Sequence, residues 1–268
     1  MNPYLDDDLL SLAESVRRFA QERVAPGFLE RDQTRVLDRG LIHEMGAMAL
    51  IAPELPERLG GQGMGCLAAG VVHEELARAD LSMSYVPLLA SLNAQILAAH
   101  GQADVVGPWL QKMVAGEALC AIALTEPGGG SDAANLRLKI ERDGDFYVLS
   151  GEKTSISAAD QCDIAVVFGR TGTVESGAHG VTALLIPMDL PGISRSRSNG
   201  VAGNFIPGRS GNFTPARVPA AQRRIQRPVS HDNSPSIRAL HLLAQTGQAF
   251  SGGGVHLAGK QAIADFGL

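Results

Sequence analysis

The sequence predicts an α+β chain. It reads as an N-terminal all-α helical domain over 1–118, an antiparallel β-barrel domain over 119–196, and an atypical tail over 197–268. Three observations carry this reading. Apolar residues recur at helical spacing as far as Val114, the period changes to two between Cys120 and Ile193, and the composition shifts abruptly after about Arg197. A chain of 268 residues, 45% hydrophobic, holds a sizeable core and about two domains at roughly 100–200 residues each.

Asp6, Asp7 and Asp8 supply an N-cap and negative charge where a helix dipole favours them. Leu9, Leu12, Val16, Phe19 and Val24 then fall on one helical stripe, with Glu14, Arg17, Arg18 and Gln21 between them, and Pro26 is expected to end the run. A second helix is expected from Arg39 to Leu50, a loop from Pro53 to Gly65 around Gly60-Gly-Gln-Gly63, and further helices over Leu67–Ala79, Leu88–His100 and Val105–Val114.

Beyond Cys120 the pattern is that of strands. Leu136-Arg-Leu-Lys-Ile140 alternates apolar and charged, Asp143-Gly-Asp145 makes a hairpin turn, and Phe146 to Leu149 returns. Asp163–Phe168 and Val181–Ile186 give two more strands, the second ended by Pro187. Many short strands joined by Gly-rich turns predict a small antiparallel barrel.

A net charge of −5 gives no reason to expect a nucleic-acid partner. No apolar run reads as the ~20 residues of a membrane span, and the acidic N-terminus is unlike a signal peptide. Cys66, Cys120 and Cys162 are too far apart in sequence for a metal cluster, and no metal is expected. They read as reduced core thiols of a cytoplasmic protein.

The stretch with most chemical content is Ala121-Ile-Ala-Leu-Thr-Glu-Pro-Gly-Gly-Gly-Ser-Asp132. An apolar strand ends in Thr125, Pro127 fixes the backbone, and three glycines let main-chain N–H groups approach a flat or anionic ligand, with hydroxyls from Thr125 and Ser131 at either end. The pattern lacks both the GxGxxG of a dinucleotide fold and the GK[ST] of a phosphate loop. Leu124–Asp132 resembles the flavin-binding segment of the acyl-CoA dehydrogenase family. The order Ile51-Ala-Pro-Glu, Gly60-Gly-Gln-Gly, His73-Glu-Glu-Leu-Ala and Trp109 to Glu117 is similar to that family's N-terminal helical domain. A second motif, Gly151-Glu-Lys-Thr-Ser-Ile-Ser157, resembles the family's flavin-facing strand. There Thr154–Ser157 is closest to a subgroup acting on alicyclic carboxyl-CoA thioesters, with Ser155 where a Trp often stands.

The resemblance implies FAD as cofactor, with Leu124, Thr125, Gly130, Ser131, Ser155, Ile156 and Ser157 as cofactor contacts. Leu124–Thr125 would meet the pyrimidine edge, Ser157 would orient N5, and Ser131 would hold the pyrophosphate or the pantetheine side of an acyl-CoA substrate. It also implies α,β-dehydrogenation of a thioester, electron-transfer flavoprotein as acceptor, and a homo-oligomer, dimer or tetramer. Glu126, placed before Pro127, reads as a structural turn residue rather than the catalytic base. In the family that base comes late, on a C-terminal helical bundle largely missing here, so it is expected beyond Leu268 and no catalytic residue is assigned.

Ser198–Gln248 contains no glutamate and a single aspartate, Asp232, among six arginines, with frequent Pro, Gly, Ser and Asn and room only for a short helix at Ile237–Leu243. This suits a disordered segment. Gly259–Phe266 again resembles the family, so the intervening text reads either as a shifted and later restored reading frame or as a natural linker. Three functions stay open: an FAD-dependent acyl-CoA dehydrogenase, a catalytically silent flavin-binding or structural fragment, and a flavin-dependent monooxygenase of the same fold.

Overall fold

The computed structural model describes residues 5–190 and 192–195 and the backbone of 216–219. The short helix at Ile237–Leu243 and the motif at Gly259–Phe266 lie outside the described residues.

The helical layer is built from α1 (Asp7–Phe19), α2 (Phe28–Thr34), α3 (Arg39–Ala47), α4 (Cys66–Ala79), α5 (Leu81–His100) and α6 (Ala103–Val114). Asp6 caps α1 by accepting from the Leu9 N–H, and Leu9, Ala13, Val16 and Phe19 form its buried stripe. Pro26 does not end this helical path. The chain continues through a π-turn at Ala20–Val24 and a 3-10 turn at Ala25–Gly27 that takes Pro26 near its start, where a missing N–H is harmless, and then enters α2.

α5 begins seven residues before the expected Leu88. Asp80 caps it by accepting from the N–H groups of Ser82 and Met83, and Pro87 is absorbed inside the helix. This 20-residue helix is also long and apolar enough to cross a membrane, which corrects the expectation that no such run exists. Here it is a central helix that packs against α4, α6 and the first strand, with Met83, Ala94 and Leu97 fully buried. Its polar Asn93 is buried too, and the side-chain amide donates to the carbonyls of Leu89 and Cys120.

The second unit is a mixed sheet rather than a purely antiparallel one, and among the described residues it does not close into a barrel. Its strands are β1 (Cys120–Ala123), β2 (Lys139–Asp143), β3 (Phe146–Ser150), β4 (Ile164–Arg170), β5 (Val181–Pro187) and β6 (Ala216–Pro219). β1 runs parallel to β4, and β4 is antiparallel to β5. β2 and β3 form the expected hairpin, with Gly144 at φ 59° in its turn. The sheet is mixed because the β2–β3 hairpin and the Gly151–Asp163 segment intervene between β1 and β4, a connection long enough to return β4 in the same direction. β6 adds antiparallel to β3, where the sequence reading expected no regular structure.

β2 starts at Lys139 rather than Leu136 because the N–H groups of Arg137 and Leu138 donate to the Glu126 carboxylate instead of to a neighbouring strand. Of the cysteines, Cys120 and Cys162 are core thiols as expected, and burial raises the Cys162 thiol to about 12. Cys66 is exposed at the start of α4.

Arg31 Nε donates to Asp80 Oδ2 at 2.8 Å, and Asp80 is almost wholly buried. Asp80→Ala therefore removes a helix cap and strands a largely buried guanidinium. The expected destabilisation is about 3–5 kcal/mol, read from chemical denaturation against Arg31→Met, where the cap survives.

Candidate functional site

β1 delivers the chain to Leu124 and Thr125, both half-buried, and the Gly-rich run then folds into a tight turn. Glu126 N–H donates to the Gly129 carbonyl at 3.1 Å and Gly129 N–H returns to the Glu126 carbonyl at 3.0 Å. Gly128 and Gly129 stand in open space, while Gly130 lies against Thr125. A Cβ at Gly130 would come within 3.2 Å of Thr125 Cγ2 and 3.4 Å of Thr125 Oγ1, so its side of the turn must stay bare.

The two motifs, 18 or more residues apart in sequence, are joined edge to edge. Thr154 N–H donates to the Thr125 carbonyl at 2.9 Å, and the Lys153 ammonium donates to the Leu124 carbonyl at 2.9 Å. Lys153 is fully buried and pairs with Glu126 Oε1 at 2.8 Å. Oε1 also accepts from Leu138 N–H at 2.8 Å and Oε2 from Arg137 N–H at 2.6 Å. Burial pulls the Glu126 carboxyl upward, but Lys153 and the two amides outweigh it and hold it below the ordinary carboxylate value. Burial pushes the Lys153 ammonium down, against the opposing pull of Glu126. Both oxygens of Glu126 are thus committed to structure, as its place before Pro127 implied.

Thr154–Ser157 does not form a strand. Ser155 at φ 56° and Ala158 at φ 59° occupy the left-handed region, which costs a non-glycine residue about 1 kcal/mol or more each. Ser155 is exposed and Ser157 half-buried, whereas the Ile156 side chain lies in the core, so only its backbone can meet a ligand. Ser157 opens onto an apolar cavity between α5 and the start of β1, walled by Met83, Val86, Leu89, Met113 and Leu119 with Arg35 at its lining. The Gly-rich turn borders a different, wider cleft, shared with Asn135, Lys139, Glu152 and Thr173. Ser131 is exposed beside that turn. The structure therefore brings Leu124, Thr125, Gly130 and Thr154 together and sets Ser157 toward the apolar cavity.

Sequence reasoning missed two residues. Lys153 was given no role, although it lies inside the second motif. Arg170, also buried, donates to the carbonyls of Leu136, Thr173, Gly177 and Ala134 and holds the far wall of the wide cleft. The available signal for Lys153 was a glutamate fixed in a Gly-rich turn, which requires a nearby cation once buried.

A helical layer set on a mixed sheet, with a Gly-rich turn stitched to a Ser/Thr-rich segment at the sheet's end, defines a family. Residues 6–117 match the acyl-CoA dehydrogenase N-terminal domain and residues 121–207 the acyl-CoA dehydrogenase middle domain, and the chain belongs to that family. It is similar to the mitochondrial isobutyryl-CoA dehydrogenase of Dictyostelium discoideum, 32% identical over 216 residues, which cover 80% of this chain and 52% of the relative. The fold is similar to an acyl-CoA dehydrogenase from Geobacillus kaustophilus, with a TM-score of 0.78 and 28% identity over 85% of this chain and 60% of that one. It is also similar to a glutaryl-coenzyme A dehydrogenase solved as its glutaryl-CoA complex, with a TM-score of 0.76 and 26% identity over 85% and 58%. The chain thus spans about half to three fifths of the length of these proteins.

The Glu126 carboxyl titrates below its ordinary 4.5, so its contribution to stability is complete above that value and lost as pH falls through the lower folded value. Glu126→Gln should cost about 3–5 kcal/mol at neutral pH by stranding Lys153. Below the ordinary carboxylate range the gap between variant and wild type should narrow, because protonation removes the same charge from the wild type. Urea titrations of both proteins at neutral and acid pH check this.

Proposed function

We propose that this chain binds FAD at the junction of its two motifs and serves α,β-dehydrogenation of an acyl-CoA thioester. The observation that carries the reading is the Thr154–Thr125 hydrogen bond, which holds the two segments that the family resemblance assigns to flavin side by side. Among the described residues neither the Thr125 hydroxyl nor its N–H makes a hydrogen bond, so both remain available as donors, as a flavin's carbonyl-bearing edge requires. The residues present fit the group.

When bound, the flavin supplies the hydride acceptor for the substrate β-carbon. The chain's own share is positioning and electrostatics. Thr125 offers donors already in place where negative charge develops, and one such donor in a water-excluded site contributes on the order of 3 kcal/mol. Gly128 to Gly130 keep side chains out of that approach, and Ser157 sets a hydroxyl at the mouth of the apolar cavity, which suits the uncharged portion of an acyl group. Glu126 is not the base, because its carboxylate is consumed by Lys153 and two amides. The base for the α-proton is assigned to a carboxylate outside the described residues. Electron-transfer flavoprotein as acceptor and a family-type homo-oligomer are part of the same reading.

The purified chain, mixed with FAD, should develop a shifted, structured visible flavin band, and anaerobic addition of branched or alicyclic CoA thioesters should bleach it if the base is present. Thr125→Val should weaken FAD binding by about tenfold, the worth of one hydrogen bond to a group that becomes charged. FAD that remains spectrally free in the presence of the folded chain would refute the cofactor reading. A band that forms but is not bleached by any thioester would leave a flavin-binding protein without dehydrogenase activity.

A further inference from the structure

We propose that Lys153 is a positioning residue for the flavin site, acting through the Leu124 carbonyl and the Glu126 carboxylate to aim the Thr125 donors. The inference rests on the flavin reading above and deepens it.

The argument begins with the peptide between Leu124 and Thr125. It is trans and planar, so the Thr125 N–H points opposite to the Leu124 carbonyl. Lys153 Nζ holds that carbonyl at 2.9 Å from a fully buried position, and so fixes the direction of the Thr125 N–H as well. The next residue, Thr154, holds the Thr125 carbonyl at 2.9 Å, which fixes the following peptide plane. Two consecutive peptides of the first motif are therefore set by two consecutive residues of the second.

The lysine is itself held by Glu126 Oε1 at 2.8 Å, and Glu126 is anchored by the amides of Arg137 and Leu138. A lysine on the surface would swing among rotamers and could not orient a carbonyl, whereas burial and a second acceptor leave this one a single placement. The contact satisfies the carbonyl that ends β1 and, through the same planar peptide, sets the Thr125 N–H, so a structural role and a positioning role differ in what FAD binding reads and not in the contact itself.

The pair can be replaced without stranding a charge by Lys153→Met combined with Glu126→Gln, which keeps volume and removes both ions. FAD titration followed by the visible band and by quenching of flavin fluorescence, with thermal unfolding of the flavin-free chain alongside, gives separate readings of position and of stability. The expected result is FAD affinity lower by about tenfold or more, with the spectral shift of the bound flavin reduced. The flavin-free variant should unfold somewhat below the wild-type temperature, because the Leu124 carbonyl and one of the Arg137 and Leu138 amides lose a partner, and affinities are compared where both proteins are fully folded. Should the double variant fail to fold, Lys153→Arg keeps the charge but cannot place one nitrogen between Leu124 and Glu126 in the same way. It should fold and show the same loss of affinity and spectral shift. Wild-type affinity and spectrum in whichever variant folds would overturn the positioning role and leave the flavin reading standing. Absence of FAD binding by the wild type would overturn the flavin reading and this inference with it.

Discussion

Much of the sheet domain is irregular backbone that is nevertheless buried, and a buried peptide group without a partner is costly. That constraint accounts for the three charged side chains in its interior. Glu126 takes the N–H groups of the segment before β2, Lys153 takes the carbonyl that ends β1, and Arg170 takes four carbonyls from the two short 3-10 segments near Ala133–Asn135 and Val174–Gly180. Each replaces a stretch of sheet ladder that the chain could not form there. Glu126 and Lys153 also hold the chain on the N-terminal side of the glycine run.

The same logic joins the helical layer to the sheet. Asp163 sits just before β4 and accepts from the Leu119 N–H at 2.7 Å and from Arg39 Nη1 of α3 at 2.8 Å. Gln161 accepts from the Leu37 N–H at 2.9 Å. The turn that follows the second motif is thereby tied to the loop before α3, and apolar packing of α5 on β1 completes the seam. The apolar cavity beside Ser157 lies along this seam, so its width depends on how the helices seat and not on the sheet alone.

Much of this was legible in the sequence. Helical stripes such as Leu9–Val16–Phe19 and the Asp-Gly-Asp hairpin report directly on local geometry, and the ordered run from Leu124 to Asp132 marked the Gly-rich turn that closes on itself after β1. The illegible parts are those decided by distant partners. Nothing local in Gly151-Glu-Lys-Thr reveals that Lys153 points inward, since the residue that draws it there is Glu126, twenty-seven positions earlier. Leu136–Leu138 alternates like a strand but spends its amides on that same carboxylate. Pro87 stood just outside the expected helix, yet the Asp80 cap and packing on either side carry α5 through it. The Ser/Thr-rich segment has strand composition, and the two left-handed residues that bend it are not glycines.

α5 shows how little hydropathy alone says about a helix's surroundings. Lipid and a protein core reward the same leucines and alanines, so a scale that counts apolar side chains scores both environments alike. What differs is the set of neighbours each environment supplies. The amide of Asn93 reaches out of its own helix to the carbonyl of Cys120 on the neighbouring strand, a partner that hydrocarbon chains lack. In this fold the surroundings of α5 are α4, α6 and β1, and the Asn93 amide is one of the contacts that seat it there.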